Sequence, residues 1–192
     1  MKNQQNGASD AELVSLSKID PENFGFIMER YQIPLFHYIR RITQYPKEDV
    51  EDILQEVFIK IFRKLNEYDE QLKFSSWAYR IAHNHVIDTF RKSNARPKTD
   101  GFDESEMAKL LKSRMDEEEK MEMKDCAEKV KECIGDMPLK YREVLVLRFV
   151  EEKSYEEMMD ILKKPKGSVA TLVSRGREIL SKNMKRKGIG CF

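Results

Sequence analysis

Hydrophobic positions along this chain recur at helical spacing almost from end to end, and no stretch alternates as a strand would. Phe26, Ile27 and Tyr31 lead to Leu35, Tyr38, Ile39 and Ile42, a helical pattern that Pro34 is expected to interrupt. Pro46 closes that segment. From Asp49 to Leu65, the residues Ile53, Leu54, Val57, Ile61 and Leu65 mark the inner face of a long amphipathic helix. The loop Asn66–Leu72 separates it from a helix running from Phe74 to about Lys92.

The texture then changes. "SNARPKTDGFDESE" carries Pro97, Gly101 and mixed charge with little periodicity, which marks a linker. The following helix is predicted to bear Cys126, Val130, Cys133, Ile134 and Met137 on one stripe, where packing accounts for both cysteines. Pro138 opens a helix over Leu139–Val150, and Ser154 with Glu157 makes a capping box for another that ends near Leu162. The turn Lys163–Gly167 leads into a final helix from Ser168 to about Asn183, with Val169, Leu172, Val173, Gly176, Ile179 and Leu180 inward. The pattern predicts an all-α chain of two small helical domains joined by a flexible acidic linker. A tail and the start of the first helix occupy 1–19, the domains 20–95 and 123–187, the linker 96–122, and a short tail 188–192. Two helices on a tight turn, the second basic, resemble a helix-turn-helix.

Composition narrows the class. Charged residues make up 36% of the chain and hydrophobic residues 40%, which suits a folded helical protein rather than a disordered one. No apolar run approaches the roughly 20 residues that span a bilayer, and Met1–Asp10 lacks the apolar segment of a signal peptide. A cytoplasmic protein without membrane insertion is expected. The three cysteines, Cys126, Cys133 and Cys191, show no CxxC spacing, which argues against a disulfide framework or zinc knuckle.

The net charge of +1 conceals an asymmetry. Residues 73–98 are basic, with Lys73, Arg80, Arg91, Lys92 and Arg96 against Asp88; residues 100–122 are acidic. Residues 163–187 carry Lys163, Lys164, Lys166, Arg175 and Arg177, among other bases, against the single acid Glu178. Two basic segments held apart by an acidic one point to two contacts with a polyanion.

The stretch "IAHNHVIDTF" at 81–90 invites a metal-site reading. On a helix, however, His83 and His85 diverge by about 200°, too far to close on one ion. Helical phase instead predicts an inward stripe of Ala78, Ile81, Ala82, His85, Val86 and Thr89. Arg80, His83, Asn84, Ile87 and Arg91 are expected on the outer face, as donors toward phosphates and base edges. No catalytic residue, metal or cofactor is expected.

Three segments, "DVEDILQEVFIKIFRKL", "FSSWAYRIAHNHVIDTFRK" and "MPLKYREVLVLRFVEEKSYEEMMDILKKPKGSVATLVSRGREIL", together resemble a bacterial RNA polymerase sigma factor of the extracytoplasmic-function (ECF) class. The likeness runs from about Ala11 to Leu180, with the segments in the family's order. It implies a region 2 helical bundle and a region 4 helix-turn-helix, and a promoter-specificity subunit that is not an enzyme.

Carried over by position, the resemblance places Asp49, Asp52, Gln55, Glu56 and Phe58 on the helix that docks on the β′ clamp helices of core polymerase. Asp49, Asp52 and Glu56 also form an acidic edge suited to a basic partner. Tyr68, Lys73, Phe74, Trp77, Arg80, His83, Asn84 and Arg91 fall where the family recognises and melts the −10 element. His83 stands where arginine is common, and Trp77 reads equally well as a packed core residue. Lys164, Lys166, Ser168, Thr171, Ser174 and Arg175 fall where the family reads the −35 element. Ala170 and Leu172 depart from the basic residues usual there, so charge moves to the preceding turn, or −35 readout is weak and another factor recruits the protein. The implied partners are core polymerase through its β′ clamp helices and β flap, promoter DNA, and an anti-sigma factor or other regulator. The acidic linker is implied to run along the polymerase near the RNA exit channel. A stand-alone helix-turn-helix regulator is the competing reading, but it leaves the acidic helix and the Trp77 segment without a role.

Overall fold

The structure is a computed structural model that describes residues 7–92 and 129–189. The linker expected at 96–122, Cys126, Cys191 and the extreme tails lie outside the described residues. Among the described residues, every regular element is helical.

The first helix starts within residues 1–19, the span expected to hold a tail and the start of the first helix. α1 (Asp10–Ile19) is capped by Ser9, whose hydroxyl accepts from the Glu12 amide while Glu12 accepts from the Ser9 amide at 2.7 Å. Leu13 and Val14 bury its inner face, and Asp10 accepts from Arg30 at 2.7 Å. α2 (Phe24–Thr43) then runs unbroken through Pro34, contrary to the expected interruption. Gln32, Ile33 and Pro34 all lie on the solvent side, so the proline's lost hydrogen bond falls where water replaces it. Tyr31, Leu35, Tyr38 and Ile42 keep the inward stripe continuous across it.

Gln44, in left-handed conformation (φ 59°), ends α2 and turns the chain into α3 (Lys47–Arg63). A loop then leads to α4 (Phe74–Lys92). Val50, Val57, Ile61, Ala78, Ala82 and Val86 close the core of this first bundle.

The second bundle is described from α5 (residues 129–135) onward. α6 (Leu139–Leu145) does not continue as a plain helix to Val150, as its pattern suggested: Val146–Val150 widen into a π turn. The capping box at Ser154 and Glu157 starts α7 (Tyr155–Leu162), as the sequence indicated. α8 (Lys166–Arg186) follows after a turn in which Lys163 is left-handed (φ 51°). Gly176 admits close packing of α8 on α6, since a Cβ there would meet Leu145 at 3.2 Å.

The two bundles touch. A Cβ on Gly135 would lie 1.8 Å from the Gln44 side-chain amide, so a larger residue there would push that flexible side chain aside. Arg142, buried in the second bundle, donates to the Ile42 carbonyl of the first at 2.8 Å and to the Met137 carbonyl at 3.0 Å.

Candidate nucleic-acid interface

α4 carries the densest set of expected site residues. Its first turn is anchored by an aromatic cluster in which Phe74 and Trp77 lie 5.5 Å apart and Tyr68 sits 5.2 and 5.3 Å from them. All three rings are buried. The packing alternative for Trp77 therefore describes its place, and none of the three offers a free face to a base. Asn84 and Arg91 are exposed, Arg80 is half-buried, and Lys73 is exposed with its ammonium 3.2 Å from Glu157.

His83 corrects the sequence reading. It was expected to face outward, yet it is only 6% exposed, because the second bundle covers that side of α4. Its Nδ1 lies 3.2 Å from the Tyr38 hydroxyl and its Nε2 3.9 Å from Glu143. Burial, with a smaller contribution from the Lys164 charge, lowers its pKa to about 4. His85 turns the other way, as expected: Lys60 lies 2.6 Å from its Nδ1 and Glu56 3.2 Å from its Nε2. The imidazoles thus serve different environments and do not converge.

On α3, Asp49, Asp52, Gln55 and Glu56 are exposed, while Phe58 is buried. Gln55 and Phe58 line an open groove of about 1090 Å³ between α2 and α3; Asp49, Asp52 and Glu56 lie on the adjoining face. Met28, Ile33, Leu54, Ile59 and Phe62 supply most of the remaining apolar lining. Ile33 and Ile59 are 61% and 51% exposed, an unusual outlay of large aliphatic surface. Sequence reasoning missed this groove, although Ile59 and Phe62 form an apolar pair three residues apart outside the inward stripe of α3.

On α8, Ser168, Thr171, Ser174 and Arg175 all face solvent, and Val169, Val173 and Gly176 face in, as helical phase requires. Ala170 is exposed beside them. Lys166 is exposed and 3.1 Å from Glu156, whereas Lys164 is half-buried and acts electrostatically on His83 and Glu143. The arrangement is a helix with a small, polar leading edge, preceded by a basic turn, which fits a groove of duplex DNA.

The family model described as Sigma-70 region 2 matches residues 27–96, and that described as Sigma-70, region 4 matches residues 127–180. The ECF RNA polymerase sigma factor SigW of Bacillus subtilis is 31% identical over 88% of this chain and 93% of its own length. The chain belongs to the ECF class of sigma-70 factors. The ECF RNA polymerase sigma-E factor of Escherichia coli is 29% identical, over 88% of this chain and 91% of that protein. Two solved structures share the fold. CnrH, in complex with the cytosolic domain of CnrY, has a TM-score of 0.66 at 22% identity, covering 92% of this chain and 97% of that one. The sigma factor RpoE, in complex with the anti-sigma factor NepR from Bartonella quintana, has a TM-score of 0.66 at 16% identity, covering 85% and 98%.

As an ECF sigma factor, the protein directs promoter recognition by RNA polymerase and is not itself an enzyme. The first bundle is region 2 and the second is region 4. Among the described residues, no helix is long and apolar enough to cross a membrane. The sequence reading also missed the residues that join the two regions. Glu151, at the end of the π turn, accepts from Arg41 and from the Tyr79 hydroxyl, both at 2.6 Å. Those partners stand 110 and 72 positions away, so no local pattern could pair them.

Proposed function

We propose that this sigma factor docks on the β′ clamp helices of core polymerase through the α2–α3 groove and the acidic edge beside it. The single observation that carries this reading is an open apolar groove lined by Ile33, Ile59 and Phe62, with Asp49 and Asp52 exposed on the adjoining face. Apolar surface of this size favours burial against a partner helix, and the carboxylates select a basic one. Region 4 reads the −35 element with Ser168, Thr171, Ser174 and Arg175, supported by Lys166, and meets the β flap. The −10 element meets α4 through Lys73, Arg80, Asn84 and Arg91, while Tyr68, Phe74 and Trp77 hold the helix start in place from the core. The protein acts in the cytoplasm and is bound by an anti-sigma factor or comparable regulator, a reading supported by the complex of the sigma factor RpoE with the anti-sigma factor NepR from Bartonella quintana.

The test is binding to core polymerase on native gels. Ile59→Glu places a charge in the groove at an exposed position that the fold does not need. Affinity for core is expected to fall by more than about tenfold. Unchanged binding in a folded variant would remove the groove from the docking surface.

A further inference from the structure

α1 reaches the loop before α4 from behind. Asp10, in its first turn, accepts from the Arg30 guanidinium at 2.7 Å with one carboxylate oxygen and from the Tyr31 hydroxyl with the other. Arg30 also donates to the Ala8 carbonyl at 2.6 Å, so its fork closes on the entry to α1. Burial and the bond to Asp10 hold the Tyr31 phenol well above its ordinary pKa, and it stays a donor. The Tyr31 ring then meets Phe74 edge-on, with centres 5.4 Å apart and planes at 70°. Phe74 in turn meets Tyr68 edge-on at 5.2 Å, and the Tyr68 hydroxyl donates to the Leu72 carbonyl. A continuous path therefore runs from a carboxylate on α1 to both ends of the stretch 68–72.

Local bonds hold only the tip of that loop. Asp69 accepts from the Gln71 amide with its side chain and from the Leu72 amide with its carbonyl, both at 3.0 Å. Asn66, Asp69, Gln71 and Lys73 face solvent, whereas Tyr31, Tyr68 and Phe74 are buried. Polar groups able to meet a base thus stand outside, and the rings that fix their place lie inside. A buried phenol takes its position from the partner of its hydroxyl as well as from ring packing. Lys18 adds a second tie from α1, 3.1 Å from Glu70, but Glu70 is more than half exposed and such a pair contributes little.

We propose that Asp10 is a positioning residue for base readout at the −10 element. Through Tyr31, Phe74 and Tyr68 it sets where the loop 66–73 holds its exposed polar side chains. The role rests on the reading that the −10 element meets this end of α4. A base out of its stack is read by hydrogen bonds at fixed positions, and a loop free to shift adapts to a wrong base as well as to the right one.

Holoenzyme reconstituted from the full-length protein and core polymerase tests this with a randomised pool of single-stranded oligonucleotides, the bound fraction being sequenced. Base enrichment over core alone is a ratio, so it does not follow the fraction of protein folded. The wild type is expected to enrich a defined sequence. Asp10→Ala lowers that enrichment about tenfold, the equivalent of about one backbone residue left unordered. Tyr31→Phe keeps the ring, loses the bond to Asp10 and falls in the same direction; it decides alone if Asp10→Ala does not fold. Asp10→Asn keeps an acceptor for Arg30 and a partner for the Tyr31 hydroxyl, and restores the pattern. Ser9→Ala removes the cap of α1 without touching Tyr31, and leaves the pattern unchanged. Wild-type enrichment in folded Asp10→Ala or in Tyr31→Phe overturns the positioning role. So does an equal loss in Ser9→Ala, because fraying of α1 then accounts for the effect. If the wild-type holoenzyme enriches no sequence, the −10 reading itself fails, and the role of Asp10 with it.

Discussion

His83 of region 2 and Glu143 of region 4 sit 3.9 Å apart where the two regions meet, each pushed by burial toward its neutral form. Burial raises Glu143 from 4.5 to about 7, partly countered by Lys164, and lowers His83 from 6.5 to about 4. A raised carboxyl contributes stability that is complete below 4.5 and lost as pH rises through about 7. A lowered imidazole contributes stability present above 6.5 and lost as pH falls through about 4. The two slopes oppose one another where the windows overlap, so the wild type is expected to be nearly flat there. Glu143→Gln removes the first slope and leaves the second. Urea denaturation across that window should show stability rising with pH in the variant alone; parallel curves would contradict the assignment. At the same scale, Arg175→Ala should weaken duplex binding and lower the salt slope by about one unit, the loss of one phosphate contact. An unchanged slope would take Arg175 out of the interface. The outward placement of Ser168, Thr171, Ser174 and Arg175 was legible from helical phase. That of His83 was not, because the cover on its face comes from residues about sixty positions later.

Helix signals translate into structure wherever a local hydrogen bond decides them. The S-x-x-E box at Ser154 is formed as expected, and Ser154→Ala should cost about 1 kcal/mol in thermal or chemical unfolding. A change confined to experimental error would mean that water replaces the cap at no cost. Pro34 shows the opposite case, a local rule overridden by its surroundings. Its ring stands on the solvent side of α2, while Leu35 and Tyr38 lock the same turn into the core. Pro34→Ala restores a backbone donor to a helix that is already formed, and should raise stability by on the order of 1 kcal/mol. The π turn at Val146–Val150 had no readable signal, since its apolar residues satisfy a helical period equally well.

At the scale of the molecule, Arg142 links the two regions. Its guanidinium serves the Gly135 and Met137 carbonyls within region 4 and the Ile42 carbonyl at the end of α2. Arg142→Leu leaves those buried acceptors unpaired at about 1–3 kcal/mol apiece, so region 4 should unfold at markedly lower denaturant. Tryptophan fluorescence from Trp77, in region 2, should keep its own later transition; a single wild-type-like transition would contradict the linking role. The sequence alone determined the all-α class, the order of the helices and most of their inner faces, because each depends on local periodicity, caps and turn residues, while the family was legible only in the resemblance of three segments. Tertiary structure alone decided that region 4 covers Tyr79 and His83, that Glu151 reaches Arg41, and that an apolar groove stays open between α2 and α3. The physical reason is range. Helical phase is set by neighbours three or four residues away, whereas these contacts join side chains brought together only when the two bundles meet.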